Sequence, residues 1–130
     1  MGDYDFVRGT IWDSMPELRG ALIEIEAEQA EFDEGEEGVS AVSIYSLASD
    51  VFIKGALAPL LSNEEIGKDA AARCASVIES LLLHGSAEVR QMVSIRITDY
   101  LLGWNLWERF SQYSGPALSE EVGRRKRYYS

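Results

Sequence analysis

Residues 68–104 read KDAAARCASVIESLLLHGSAEVRQMVSIRITDYLLGW, and their pattern decides the fold. Ile66, Ala70, Cys74, Val77, Ile78, Leu81 and Leu82 recur at helical spacing on one face. His84-Gly85 predicts the end of that helix, with Gly85 in the left-handed terminating position. Ser86 predicts an immediate cap for the next helix. The stripe of that second helix is Val89, Met92, Val93, Ile97, Tyr100, Leu101 and Trp104. So short a link between two long helices predicts an antiparallel hairpin.

The flanking segments extend the helical reading. Before the hairpin, SNEE predicts a capping box with Ser62 as cap and Glu65 reaching back. Residues 39–62, VSAVSIYSLASDVFIKGALAPLLS, begin with a β-branched run from Val39 to Ile44 that suits a strand. Over the longer window Ile44, Leu47 and Val51 fit a helix that ends before Pro59, with Gly55 weakening it. Further back, SMPE predicts a helix capped by Ser14, with Pro16 in the first turn and Glu17 reaching back. Leu18, Leu22, Ile25 and Phe32 form its seam, with Gln29 in the same row, and it runs to about Glu34 and ends at Gly35 or Gly38. Residues 1–13 read as an irregular arm whose Tyr4, Phe6 and Trp12 dock on the core. After the hairpin, a short helix spans about Leu106 to Tyr113 and breaks at Gly115-Pro116. A last helix spans Leu118 to Tyr128, capped near Ser119. The expectation is therefore an all-α single domain over residues 1–130, a bundle of about five to six helices around a central HEAT-like hairpin. Its parts are an arm (1–13), a helical core (14–123) and a basic tail (124–130).

Composition narrows the function classes. At 130 residues and 46% hydrophobic, the chain fits one globular domain with a real core. The net charge is −10. Residues 1–37 hold twelve acids against Arg8 and Arg19, whereas the last seven residues add Arg124, Arg125, Lys126 and Arg127. Such a field repels nucleic acid and anionic membrane and draws basic partners. The tail reads as a solvated helix end. The single cysteine, Cys74, excludes an intramolecular disulfide and fits a reducing cytoplasm. The opening residues lack the pattern of a secretory leader, and Lys54, Gly55 and Pro59 interrupt the longest apolar stretch, so no membrane span is expected.

Motifs for chemistry are scarce. DEGEEG has oxygens and glycines but not the alternation of a calcium loop. His84 and Cys74 are single copies, and Cys74 lies on an apolar stripe, so neither a transition-metal centre nor a nucleophilic pair is expected. His84 at a helix end complements the dipole. No glycine-rich phosphate loop is present, and GALAPL has no lysine-serine continuation. The expectation is a protein without catalytic residues, metal or cofactor. Trp104 and Trp107 share a helical face and read as core more than interface.

The densest feature is EIEAEQAEFDEGEEG, residues 24–38, with eight carboxylates and no base. Glu24, Glu28 and Glu31 fall at i, i+4 and i+7 and line one flank of the apolar seam. Like-charge pairs and acids near a helix C-terminus together cost about 1–2 kcal/mol. Folding alone does not favour this arrangement. A solvated face and a docking surface for a basic partner both account for it. On the second reading the partner-binding residues are Glu24, Glu28, Glu31, Asp33, Glu34, Glu36 and Glu37.

MPELRGALIEIEAE followed by CASVIESLLLHGSAEVRQMVSIRITDYLL resembles a group of small bacterial helical domains. Those domains occur beside polymorphic or contact-dependent toxin genes, where they serve as presumed immunity proteins. The resemblance spans roughly residues 14–116 and rests on apolar spacing plus Pro16, Glu17, Leu18, Glu79, Glu88, Val89 and Asp99. It implies a cytoplasmic inhibitor of a cognate, basic toxin domain such as a nuclease, acting without catalysis and without binding nucleic acid itself. The hairpin taken alone fits a second reading, a helical adaptor module unrelated to toxins.

Overall fold

The computed structural model describes residues 2–33 and 43–127, the side chains of residues 30–33 excepted. These residues form seven helices and no strand. They are α1 (Asp3–Ser14), α2 (a 3-10 turn Pro16–Leu18 leading into Arg19–Asp33), α3 (Ile44–Ser62), α4 (Lys68–His84), α5 (residues 87–103), α6 (Trp107–Ser111) and α7 (Pro116–Lys126). The all-α class expected from the pattern is the class observed, with one helix more than expected.

The additional helix is α1, where an irregular arm was expected. Asp3 and Asp5 sit in its first turn, where the helix dipole favours them. Val7 and Ile11, one turn apart, are buried, and Tyr4, Phe6 and Trp12 lie partly buried against the core. A two-residue apolar stripe was too narrow to show in the sequence. Because α1 runs through Ser14, that residue does not cap α2, and Met15 stands there without a side-chain cap bond. Glu17 does not reach back either. Both of its oxygens accept from Arg73 of α4, at 2.6 and 2.7 Å.

Helix α3 is continuous from Ile44 through Pro59 to Ser62. Over Leu47–Leu57 its hydrogen bonds widen to i→i+5, and the Ala58 N–H donates to the Ile53 carbonyl. A proline ring in a regular α-helix meets the carbonyl four residues back. The widened turns before Pro59 relieve that clash, so the helix does not stop where the sequence predicted. Gly55, also inside it, lets Leu18 pack close, since a Cβ there would stand 2.8 Å from Leu18 Cδ2. By length and composition α3 could cross a membrane, yet Leu47, Val51, Phe52, Leu57, Leu60 and Leu61 are buried in the domain core. The strand-like residues 39–42 lie outside the described residues.

SNEE ends a helix rather than starting one. Ser62 Oγ donates to the Ala58 carbonyl and Asn63 Nδ2 to the Pro59 carbonyl. Arg109 of α6 donates to the carbonyls of Leu61, Asn63 and Glu64 and holds the turn. Helix α4 then begins at Lys68, preceded by Gly67.

The α4–α5 junction follows the sequence with one correction. Ser86 caps α5, its Oγ accepting from the Val89 N–H at 3.2 Å. Gly85 is not left-handed; its φ is −79°. Glycine is required there by space, because a Cβ would stand 2.3 Å from the Leu81 carbonyl oxygen and 2.6 Å from Val89 Cγ1. Helix α5 is the hub: it touches α1, α3, α4 and α7. Val89, Met92, Val93, Ile97 and Leu101 are buried as expected. Trp104, expected in the same stripe, is 73% exposed. The chain leaves the helix at that point. Asn105 adopts φ 56°, and the Leu106 N–H reaches back to the Leu101 carbonyl at 2.8 Å, a left-handed helix stop.

Helix α7 starts at Pro116, two residues before the expected start, and Ser119 is not its cap. The cap comes from another helix. Glu79 of α4 accepts from the Ala117 N–H at 2.6 Å and from the Leu118 N–H at 3.3 Å. A Cβ on Gly115 would stand 2.4 Å from the Glu79 carboxyl carbon, so that glycine makes room for the cap.

The Glu79 contact is testable as a double-mutant cycle. We expect E79A and G115A each to lower stability in urea unfolding by about 1–2 kcal/mol, because both expel the same carboxylate from α7. The double variant should cost clearly less than their sum; strict additivity would show that the two residues act separately. The Thr98 hydroxyl is buried in α5 and has no hydrogen-bond partner among the described residues. We expect T98V to raise stability by about 1 kcal/mol in the same assay; a loss would mean the hydroxyl is satisfied in solution.

Candidate functional site

The acidic surface is built on α2. Its buried row is Leu18 and Leu22, with Ile25 partly buried beside them. Ile23, on the outer side of the helix, is 55% exposed, whereas exposed Glu24 and Glu28 lie on the flank that faces α3. Across a cleft of about 480 Å³, α3 presents Asp50 and Lys54.

Both arginines near this surface are committed elsewhere, whereas Lys54 stands on the cleft itself. Arg8 and Arg19 are the only bases in residues 1–37. Both guanidinium groups stack on Trp12, at 4.8 and 5.1 Å from the ring centroid. Arg8 also grips Glu26 through two bonds of 2.8 and 3.0 Å, and Arg19 donates to the Trp12 carbonyl. Tyr4 donates its hydroxyl to Glu26 as well. Hydrogen bonding from Arg8 holds the Glu26 carboxyl below its ordinary value, against the opposing effect of burial. Burial and the neighbouring carboxylate push the Tyr4 hydroxyl up to about 12. Glu26 is thus a fold residue, joining α1 to α2. Among the described residues, Glu24, Glu28 and Asp50 have no cation within ion-pair distance.

Of the seven residues expected to bind a partner, Glu24 and Glu28 are brought together with Asp50, which the sequence reading did not include. Glu31 and Asp33 continue the backbone of α2, with their side chains outside the described residues, as are Glu34, Glu36 and Glu37 altogether. Asp50 was hidden because it reads as a lone polar residue on an apolar helix.

The basic tail is partly structural. Arg125 forms a two-bond pair with Asp99 of α5, at 2.8 and 2.9 Å. Arg124 pairs with Glu121, which is only 5% exposed and also accepts from Ser94 Oγ at 2.5 Å. Lys126 and Arg127 are exposed, and Tyr128 and Tyr129 lie outside the described residues. Cys74 is buried, and desolvation pushes its thiol up to about 12, which keeps it from acting as a thiolate. No group of three or more metal-ligating side chains gathers among the described residues.

Comparison with known protein families, with curated proteins and with solved structures gives no match.

The Arg8–Glu26 pair gives a pH test. A carboxyl held below its unfolded value adds stability above that value and loses it as pH falls through the lower folded one. We expect E26Q to lower the Tm at pH 7, by an amount equivalent to about 0.5–1 kcal/mol. The gap from the parent should close as pH falls below the ordinary carboxyl value of 4.5. A gap that persists at pH 2 would assign the loss to packing rather than charge.

Proposed function

We propose that this chain is a non-catalytic, immunity-type inhibitor that binds a basic toxin domain in the cytoplasm through its acidic α2 surface. The observation that carries the reading is the convergence of Glu24 and Glu28 of α2 with Asp50 of α3 on one cleft that holds a single lysine, Lys54, while the nearby arginines are turned toward Trp12 and Glu26. Three carboxylates against one lysine leave the cleft net negative, which suits a cationic partner and speeds its encounter. A nuclease domain fits this chemistry because it carries the positive charge that holds a phosphate backbone. Glu31, Asp33, Glu34, Glu36 and Glu37 extend the acidic run along the chain and belong to the same proposal. The kinship with toxin-linked helical domains, including the HEAT-like character of the α4–α5 pair, is part of this proposal and rests on the sequence resemblance.

The test is capture by the tagged full chain from lysate of its own organism, followed by identification of the retained polypeptide. We expect a stoichiometric basic toxin domain whose activity the chain suppresses. The triple reversal E24K/E28K/D50K should slow association about tenfold or more at low salt, with the difference shrinking as salt rises. Retention of no basic polypeptide at low salt would leave a helical adaptor as the better reading. An unchanged association rate in the triple variant would move any inhibition to another face.

A further inference from the structure

A second surface lies away from the acidic one. Where α5 meets the end of α4 and the length of α7, a groove of about 880 Å³ stays uncovered. We propose that this groove docks a short amphipathic peptide segment of a partner protein that presents a carboxylate. Its apolar side chains rest on Leu83 and Ile95, and a carboxylate pairs with Arg90.

Three observations support this occupant. The first is apolar exposure. Leu83 is 61% exposed and Ile95 37% exposed, and they stand on different helices that line the same groove. Apolar side chains rimmed by polar ones mark an interaction surface. The second is charge. In a chain of net charge −10, the groove is lined by three arginines against two glutamates. Arg125 is taken by Asp99 and Arg124 by Glu121. Arg90 is exposed and has no carboxylate partner among the described residues, so its planar fork is open to a carboxylate from outside. The third is a held geometry. Ser94 of α5 and Arg124 both bind the buried Glu121, Asp99 of α5 binds Arg125, and Glu79 of α4 caps α7. These ties fix the third wall against the other two, so an occupant meets a formed groove rather than two loose helices. A groove lined by helices, with apolar anchors and a charge at its edge, suits an amphipathic segment.

This inference is independent of the acidic surface on α2, and its test keeps the two apart. The probe is a random peptide library displayed on phage and selected against the immobilised full chain. We expect enriched peptides that carry apolar residues at helical spacing together with Asp or Glu. With one such peptide synthesised and labelled, R90E should weaken binding about tenfold or more, and I95D should do the same. Circular dichroism should show both variants folded, and E24K/E28K should leave the peptide affinity unchanged. No enrichment of such peptides, or equal affinity for parent, R90E and I95D, would overturn the proposal. So would binding of a single-stranded oligonucleotide or an anionic phosphatidylserine vesicle that R90E abolishes while no peptide binds.

Discussion

Position 85 has no room for a side chain, and much of the architecture follows from that. A Cβ there would collide with the Leu81 carbonyl and with Val89. The absence of one lets α4 and α5 meet across only Gly85 and Ser86 and pack on each other. Other helices then find their places on that pair. Helix α1 lies on both members, α7 lies on both, and α3 packs on α5. The hub is therefore assembled from residues close in sequence, and the distant elements add to it.

The fold uses its ionisable groups selectively, and what is left over defines the surfaces. Glu17, Glu26, Glu79, Asp99 and Glu121 each tie one element to another, and Arg8, Arg73, Arg109 and Arg125 are bound from the opposite side. Exposed ion pairs contribute little on their own. Glu79 and Glu121 differ, because they satisfy backbone donors or sit buried between helices. Among the groups left over, Glu24, Glu28 and Asp50 face one cleft with Lys54, whereas Arg90 and Glu120 stand on the groove beside α7.

Most of the helices were legible because they bury a stripe at regular spacing, and Val77, Ile78, Leu81, Val89, Met92 and Ile97 did so in the sequence as in the structure. The errors have separate physical causes. Helix α1 was missed because Val7 and Ile11 are its only fully buried side chains. Pro59 was read as a stop because the rule against interior proline assumes regular turns, and here the turns widen. Ser62 was read as a cap because serine oxygens serve helix starts, yet the hydroxyl can also donate to a carbonyl one turn back. Trp104 was read as core from its spacing alone, although Asn105 after it is a residue type that readily takes a left-handed stop. Of the acidic surface, Glu24 and Glu28 were legible as a charge run. Asp50 was not, since only the packing of α3 on α2 brings it alongside.

The two surfaces differ in how firmly the fold supports them, and that bears on how each can work. The acidic surface rests chiefly on one helix, whose Ile23, Glu24 and Glu28 touch little of the core. Changes there alter charge and leave packing nearly untouched, so the surface can vary in sequence without endangering the fold. The groove is the reverse. Its walls come from α4, α5 and α7, and α7 is kept in place by Glu79, by the Asp99–Arg125 pair and by Ser94 through Glu121. A change at any of those ties moves a wall. A surface supported in this way is costly to alter, whereas the α2 surface is not, because separate residues carry the packing and the exposed charge.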